Sequence, residues 1–222
     1  MVLDVGLGAG SNALAARTVA RALGANARHL AVVSFERSLA ALELCLQPAH
    51  AADFGFDDES AGAARALLAA GVHTSAHTTW RLVLGELPAT LDAQPAGFAD
   101  VVFWDPFSPR ADPALWSMRA FAALHRVCRA GATVHTYSGA TAVRAAMLLA
   151  GFAVGAGGRT DNLRETTIAS VDVADLSAPL DRRWLERLAR SSAPFPADAP
   201  PDALARIAAC PQFAARAATP GR

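Results

Sequence analysis

The sequence contains no lysine, and all 20 of its basic side chains are arginines. Schiff-base chemistry and a P-loop phosphate site both need a lysine amine, so this composition excludes them. Cysteine is also scarce, because the chain has three residues spaced widely along it, Cys45, Cys128 and Cys210. An odd number of scattered cysteines is not the pattern of a disulfide framework, and it favours a reduced, cytoplasmic environment.

Long apolar runs are absent as well. Hydrophobic residues make up 53% of the chain, but arginine, glycine and proline interrupt them before they reach the roughly 20 residues that a bilayer span needs. No basic segment followed by an apolar stretch indicates a secretion signal. The formal net charge is zero, so a nucleic-acid partner has to be bound by a local arginine patch. These features predict one soluble domain with a modest extension.

The stretch from residue 2 to residue 10, Val-Leu-Asp-Val-Gly-Leu-Gly-Ala-Gly, joins a short apolar run to three alternating glycines. It predicts a strand, a tight turn and the start of a helix. Gly6, Gly8 and Gly10 remove every Cβ from the turn, so the backbone can approach a ligand that the helix N–H groups face. The spacing differs from the dinucleotide fingerprint. With Asp4 ahead of it, the turn resembles motif I of S-adenosylmethionine-dependent methyltransferases.

An acidic residue stands at the end of each of two later predicted strands. Glu36 follows the strand predicted over residues 28–35, and in a doubly wound sheet this position lies beside the glycine turn, where a carboxylate accepts hydrogen bonds from ribose hydroxyls. A solvated strand end is the plainer interpretation. Glu86 follows the strand predicted over residues 81–84, and it either reaches the exocyclic amine of an adenine or caps the next short helix. The glycine turn and Glu36 together predict an adenosine site.

A second stretch of candidate functional residues, Asp105-Pro-Phe-Ser-Pro109, follows the strand predicted over residues 98–104. Ligands meet an open parallel sheet at the carboxyl ends of the strands that flank the switch point, which places Asp105 at the reactive end of the site. Pro106 and Pro109 stiffen the loop and leave carbonyls without ladder partners, while Phe107 offers a flat apolar wall. Such a pocket suits an amine. The alternative is a proline-rich turn that closes the end of the sheet.

Strands and helices alternate up to residue 150. Residues 152–156 and 165–173 then follow each other across a glycine-rich loop, which predicts a hairpin instead of another crossover. We therefore predict a doubly wound α/β fold with a seven-stranded, mostly parallel sheet and an antiparallel edge strand. His73 and His77 are four residues apart, but they follow Gly71 and precede the predicted strand that ends at Leu84, so they are not a helical pair and we predict no metal site there.

From residue 174 the composition becomes rich in proline, alanine and arginine. We assign residues 1–173 to the domain and residues 174–222 to a C-terminal extension whose last part, from residue 191, is expected to be loosely attached. A helix predicted over residues 181–190 carries four arginines, Arg182, Arg183, Arg187 and Arg190. They either bind phosphates or form an ordinary solvated face.

With these motifs in place, the chain resembles the MnmC-like methyltransferase domain, the methyltransferase half of bifunctional tRNA 5-methylaminomethyl-2-thiouridine biosynthesis proteins. The resemblance runs from residue 2 to about residue 171. The motifs that carry it are Gly6-Leu-Gly-Ala-Gly10, Gly85-Glu86, Asp105-Pro-Phe-Ser-Pro109 and Pro113-Ala-Leu-Trp116. The Asp105 loop with the tryptophan that follows it is the specific part. Further similarity lies in residues 133–138, Val143-Arg144, Ala150-Gly151-Phe152 and Leu163-Arg164-Glu165.

This resemblance implies a Rossmann-like class I methyltransferase with S-adenosyl-L-methionine as cofactor. The cofactor-binding residues it implies are Asp4, Gly6, Gly8, Gly10, Glu36 and Glu86. It implies methylation of the amine of 5-aminomethyl-(2-thio)uridine at the wobble position of tRNA. Asp105 is then the catalytic residue, and the substrate-binding residues are Pro106, Phe107, Arg164 and Glu165.

The sequence also departs from the family. Pro106 stands where the family has glycine and Glu86 where it has aspartate, and the first strand begins at residue 2, from which we expect the true N-terminus to be missing. Pro106 makes the loop similar to the Asp-Pro-Pro-aromatic loop of amino-group methyltransferases. Two alternatives therefore stay open. One is a small-molecule amine methyl or aminopropyl transferase, and the other is an inactive remnant that binds a nucleoside or a partner protein.

Overall fold

The computed structural model describes residues 1–24, 28–159, 165–192 and 195–214. Within these ranges the strands are β1 (Val2–Val5), β2 (Leu30–Glu36), β3 (Val72–Thr74), β4 (Thr78–Leu84), β5 (Ala99–Trp104), β6 (Cys128–Thr136), β7 (Ala153–Arg159) and β8 (Glu165–Ser170). The α-helices are α1 (Ser11–Leu23), α2 (Ala40–Cys45), α3 (Asp58–Ala70), α4 (Ala89–Asp92), α5 (Met118–Val127), α6 (Thr141–Leu149), α7 (Arg182–Ala189) and α8 (Ala203–Ala208).

The eight described strands form one sheet in the order β3-β4-β2-β1-β5-β6-β8-β7. Strands β4, β2, β1, β5 and β6 are parallel, whereas β8 runs antiparallel to both of its neighbours. The chain moves outward from β1 in one direction through β2 and β4, and in the other through β5 and β6. This arrangement confirms the predicted doubly wound fold and places the switch point between β1 and β5.

The sheet has one strand more than the seven predicted, and the added strand is β3. It pairs antiparallel with β4 at the edge of the sheet, and a turn in which the Ser75 N–H donates to the Thr78 carbonyl joins the two strands. A strand of three residues is too short to show an alternating pattern of apolar and polar residues. The sequence therefore gave no sign of it.

Two helices begin where serine and aspartate side chains cap them. Helix α3 begins at Asp58, where Asp57 and Ser60 form a reciprocal capping box. Helix α5 begins at Met118, since the Ser117 hydroxyl accepts a hydrogen bond from the backbone of its first turn. The preceding segment Pro113–Trp116 is a separate 3₁₀ turn.

Apolar side chains fill both faces of the sheet. Trp104, Phe121 and Phe152 are buried on the face covered by α5 and α6. Trp80 and Leu67 are buried on the other face, under α1, α2 and α3. Because helices cover both faces of the sheet, most residues of the central strands β1, β2 and β5 are apolar.

The described residues that follow residue 173 pack against the first of these cores. Trp184 and Phe213 are buried and their rings stack with centroids 6.2 Å apart. The Gln212 side chain accepts a hydrogen bond of 2.8 Å from the Val154 N–H and donates one of 3.1 Å to the Val154 carbonyl. Loose attachment was therefore wrong for residues 195–214, while a domain boundary at residue 173 stays a prediction. The four arginines predicted on α7 are exposed.

None of the helices in the described ranges has the length and apolar character required to cross a membrane.

Candidate functional site

The carboxyl ends of β1, β2, β4 and β5 surround a cavity of about 330 Å³. Seven residues predicted for the site line it, namely Gly6, Gly8, Glu36, Glu86, Asp105, Pro106 and Phe107. The structure adds further lining residues that the sequence did not indicate, among them Arg37, Asp112 and Tyr137. The two stretches singled out in the sequence, which lie about 100 residues apart, therefore line one cavity.

The glycine turn packs directly against the loop that follows β5. Gly6 has a φ of 88°, and a Cβ built on it would lie 2.7 Å from the Asp105 carbonyl oxygen and 2.8 Å from the Pro106 Cα. Only a residue without a side chain permits this approach of two backbones. Gly8 faces the cavity, whereas Gly10 does not line it and instead marks the start of α1, with its N–H donating to the Leu7 carbonyl.

Glu36 is held in place by backbone groups and is not a freely solvated strand end. The Gly8 N–H donates a hydrogen bond of 3.1 Å to Oε2, and the N–H groups of Arg37 and Ser38 donate to Oε1 at 2.8 and 3.2 Å. Oε1 uses both of its lone pairs in these two hydrogen bonds, whereas Oε2 accepts only one and retains a further lone pair. The side chain therefore ties β2 to the glycine turn and can still accept hydrogen bonds from a ligand in the cavity.

Glu86 lines the same cavity one residue after Gly85, whose N–H donates to the Glu36 carbonyl. Helix α4 begins after Pro88 and has no side-chain cap. The structure therefore contradicts the capping interpretation of Glu86 and leaves its carboxylate available at the cavity wall.

Asp105 lies at the junction of β5 and α1. Its N–H donates to the Val5 carbonyl at 2.8 Å and so extends the pairing of β1 with β5 by one residue. Its Oδ2 accepts a hydrogen bond of 3.1 Å from the Asn12 side-chain amide at the start of α1. The sequence did not single out Asn12, but the structure shows that this amide orients the Asp105 carboxylate, which is otherwise exposed.

Two backbone carbonyls of the proline-containing loop accept hydrogen bonds from aromatic side chains. Tyr137 donates its hydroxyl to the Pro106 carbonyl at 3.2 Å. The Trp116 indole donates to the Phe107 carbonyl at 2.8 Å, which explains the tryptophan that follows the loop in the sequence. The Phe107 ring itself is 66% exposed at the rim of the cavity. The loop is therefore rigid in its backbone and presents an aromatic face to an incoming ligand.

An ion pair crosses the rim of the cavity. The Arg37 guanidinium lies 3.4 Å from Asp112 Oδ2 and its carbon is 5.8 Å from the centre of the Phe107 ring. In the described lining, four carboxylates, those of Glu36, Glu86, Asp105 and Asp112, stand against this one guanidinium. The charge of the cavity therefore favours a cationic ligand.

Asp4 lies beneath the glycine turn and does not line the cavity. Its carboxyl is fully buried, and Oδ2 accepts a 2.7 Å hydrogen bond from Ser34, which in turn accepts one of 2.9 Å from the Trp80 indole. Burial raises the pKa of Asp4 from 3.8 to about 7, and the Asp105 and Glu36 charges add to this rise while hydrogen bonds from Ser34 and Asn12 oppose it. A positive charge in the cavity would favour the ionised form.

The raised pKa of Asp4 predicts a stability effect that depends on pH. Between pH 4 and pH 7 the unfolded chain releases the Asp4 proton while the folded chain keeps it, so folding stability falls as the pH rises. Asp4→Asn removes this dependence. We expect the free energy of unfolding of the variant, relative to the wild-type chain, to increase between pH 4 and pH 8, as measured by urea unfolding at each pH.

Asp57→Asn is the matched control, because hydrogen bonds from Ser60 hold the pKa of this exposed carboxyl below its usual value. Its loss should destabilise the chain more at pH 8 than at pH 4, the opposite trend. A difference between the Asp4 variant and the wild-type chain that does not change with pH would contradict the assignment.

Two of the residues predicted to bind the substrate remain, Arg164 and Glu165. Arg164 lies outside the described residues. Glu165, at the start of β8, is 2.6 Å from the buried Arg144 guanidinium, which also donates to the Thr167 hydroxyl and the Thr166 carbonyl. The Glu165 carboxylate therefore joins β8 to α6 and does not line this cavity, while its role in substrate binding stays a prediction.

Comparison with known proteins places this site in context. Residues 63–172 match a family described as S-adenosyl-L-methionine-dependent methyltransferase. The tRNA 5-methylaminomethyl-2-thiouridine biosynthesis bifunctional protein MnmC of Paracidovorax citrulli is 34% identical over 163 residues, which are 69% of this chain and 25% of that protein. The protein of the same name from Paraburkholderia xenovorans is 33% identical over 160 residues, 68% of this chain and 24% of that protein. The chain thus spans about a quarter of the length of these relatives.

A solved structure shows the same fold. The crystal structure of MNMC2 from Aquifex aeolicus superposes with a TM-score of 0.70 over 93% of this chain and 67% of that one, at 22% sequence identity.

Proposed function

The chain is an S-adenosyl-L-methionine-dependent methyltransferase domain of the MnmC-like type, and on this premise we propose that it methylates the amine of 5-aminomethyl-(2-thio)uridine at the wobble position of tRNA. The observation that carries the proposal is the position of the Asp105 carboxylate. It is held by Asn12 at the wall of an acidic cavity that the glycine turn closes on the other side. A tRNA substrate implies that the chain acts in the cytoplasm.

The residues present fit the cofactor. A volume of about 330 Å³ lies within the range of small-molecule sites. Four carboxylates in the lining suit a sulfonium cation, and the turn leaves backbone without side chains beside it. We assign the ribose hydroxyls to Glu36, the adenine amine to Glu86 and the close backbone approach to Gly6 and Gly8. When bound, the cofactor supplies an electrophilic methyl group.

The residues of the chain then position the acceptor amine. Asp105 accepts a hydrogen bond from the amine and, because Asn12 fixes its carboxylate, directs the nitrogen toward the methyl group. Pro106 and Phe107 form an apolar wall that excludes water from the reacting atoms. Holding the nitrogen, the methyl carbon and the sulfur in line can supply several orders of magnitude in rate.

The proposal of a tRNA substrate has support from two sides. Two relatives are about one third identical to this chain over the matched residues, and both are named for the biosynthesis of 5-methylaminomethyl-2-thiouridine in tRNA. The negative charge of the cavity also fits a cationic amine and repels phosphate, so only the modified end of a nucleotide would enter, while the phosphates remain outside.

A comparison of acceptors tests the proposal. The chain is incubated with S-adenosyl-L-methionine labelled on the methyl group, together with tRNA that carries unmethylated aminomethyl-uridine or with a small diamine such as putrescine. We expect label in acid-precipitable tRNA that ribonuclease releases. Label in the diamine alone would favour a small-molecule amine transferase. Cofactor binding without transfer to either acceptor would favour an inactive nucleoside-binding remnant.

A further inference from the structure

A second crevice, of about 180 Å³, opens on the other side of Asp105. Asp105 and Tyr137 line both the cavity and this crevice, so the two spaces meet at these side chains. The other residues that line the crevice are Asn12, Phe103, His135, Thr136 and Thr166. Together with the Asp105 carboxylate, these amide and hydroxyl groups suit a small polar or cationic group such as the aminomethyl end of a nucleoside.

His135 lies in the floor of the crevice, beneath the end of the sheet. It is the partner of Phe103 in the pairing of β6 with β5, and the centres of the two rings are 6.0 Å apart. Tyr137 directly follows the end of β6 and lines the same crevice. One imidazole nitrogen, Nε2, is 3.0 Å from the Thr133 hydroxyl.

His135 is a neutral base at physiological pH, because its half-buried position lowers the pKa of the imidazole. Among the described residues, Asp105 and Tyr137 are the titratable groups that share the crevice with it. Ile168 opposes it on β8, and Glu165 at the start of that strand is paired with Arg144. Arg129 lies on β6 near the opposite end of the strand and bonds to Asp100.

The proposed reaction needs such a base. A primary amine is mainly an ammonium at neutral pH, and an ammonium has no lone pair to attack the methyl group. A carboxylate such as Asp105 binds the ammonium well but also stabilises its charge, because an opposite charge favours the protonated amine. A neutral proton acceptor beside the carboxylate would resolve this conflict.

We propose that the crevice receives the aminomethyl end of the acceptor and that His135 takes the proton that the acceptor ammonium must lose. The inference rests on the proposed function. The N–H bond of the ammonium breaks and its proton passes to the imidazole. The freed lone pair forms the nitrogen–carbon bond as the electron pair of the carbon–sulfur bond passes to sulfur. The imidazolium then releases one proton to solvent, so the neutral base is restored.

The pH dependence of methyl transfer tests the role of His135. With His135→Gln we expect the rate at pH 7 to fall by about 100-fold, the lower end of the range for a general base. At pH 9 the solvent deprotonates the amine, so the rate of the variant should approach that of the wild-type chain. The affinity for S-adenosyl-L-methionine, measured by calorimetry, should be unchanged.

His125→Gln is the matched control. His125 is also a partly buried histidine whose pKa burial lowers, but it lies in α5 and packs against Phe152, with ring centroids 4.8 Å apart. Its substitution should leave the pH profile unchanged. A loss in His135→Gln that is equal at pH 7 and pH 9, or no loss at all, would overturn the inference.

The wild-type chain gives a second measurement that does not depend on how well a variant folds. As the pH is raised, its rate should stop rising below neutral pH, once the imidazole has lost its proton. A rate that keeps rising up to the pKa of the acceptor amine would overturn the role of His135. Absence of any transfer to tRNA would overturn the proposed function itself. Transfer to tRNA together with a loss in His135→Gln that does not depend on pH would overturn only the inference.

Discussion

Asp105→Asn is expected to lower kcat for methyl transfer by about 1,000-fold, within the range for loss of a group that acts on the reacting atoms. Asparagine has nearly the same shape and its carbonyl can still accept the hydrogen bond from Asn12, so the loop should keep its structure. The change removes the negative charge beside the amine and one acceptor oxygen. Affinity for S-adenosyl-L-methionine should change little, because Glu36 and the glycine turn hold the rest of that molecule.

Asp112→Asn provides the comparison for Asp105→Asn. Asp112 lines the same cavity, but its carboxylate pairs with Arg37 at the rim, and an exposed pair of this kind contributes at most about 1 kcal/mol, or roughly fivefold in rate. Both variants are assayed by initial rates and by calorimetric titration with the cofactor. Equal losses in the two variants would show that overall cavity charge matters and the position of Asp105 does not.

Gly6→Ala is expected to weaken cofactor binding by about 100-fold or more and to destabilise the chain. Alanine at a φ of 88° is strained by about 1–3 kcal/mol. In addition, its Cβ would stand 2.7 Å from the Asp105 carbonyl oxygen, so the turn and the loop have to separate. Since the Gly8 N–H of the same turn donates to the Glu36 carboxylate, a shift of the turn would also disturb this hydrogen bond at the cavity wall. Calorimetric titration and the melting temperature measure the two effects.

Gly55→Ala separates backbone strain from this collision. Gly55 has a φ of 75°, and a Cβ built on it meets no atom within 4 Å, so the variant has the strain without the contact. We expect a modest loss of stability and unchanged cofactor affinity. If Gly6→Ala bound the cofactor as tightly as the wild-type chain, the described packing of the turn against the loop would be wrong.

Local sequence patterns were sufficient for the walls of the site and for most of the sheet. The glycine turn, Glu36 and the Asp105 loop each stand directly after an apolar strand, and the rule that ligands bind at the carboxyl ends of such strands brought them together. The parallel order of the central strands followed from the regular alternation of strands and helices. The glycine turn, Glu36 and the Asp105 loop line one cavity in the structure, which confirms the predicted order of the strands that carry them.

The contacts that complete the site were not predictable, because they join side chains that are far apart in the sequence. Arg37 and Asp112 are 75 residues apart, and Asn12 and Asp105 are 93 residues apart. Arginine, aspartate and asparagine are common on protein surfaces, so nothing in their local sequence distinguishes these residues from solvated ones. Glu165 illustrates the converse, since its motif predicted substrate binding while a buried arginine 21 residues earlier determines its contact.

The most direct test of the account is to identify the nucleoside that the chain produces. Transfer RNA carrying unmethylated aminomethyl-uridine is incubated with the chain and labelled S-adenosyl-L-methionine, digested to nucleosides and separated by liquid chromatography with mass detection. The account predicts that the label appears in 5-methylaminomethyl-(2-thio)uridine and that Asp105→Asn abolishes it. A chain that binds the cofactor but leaves this nucleoside unlabelled would contradict it.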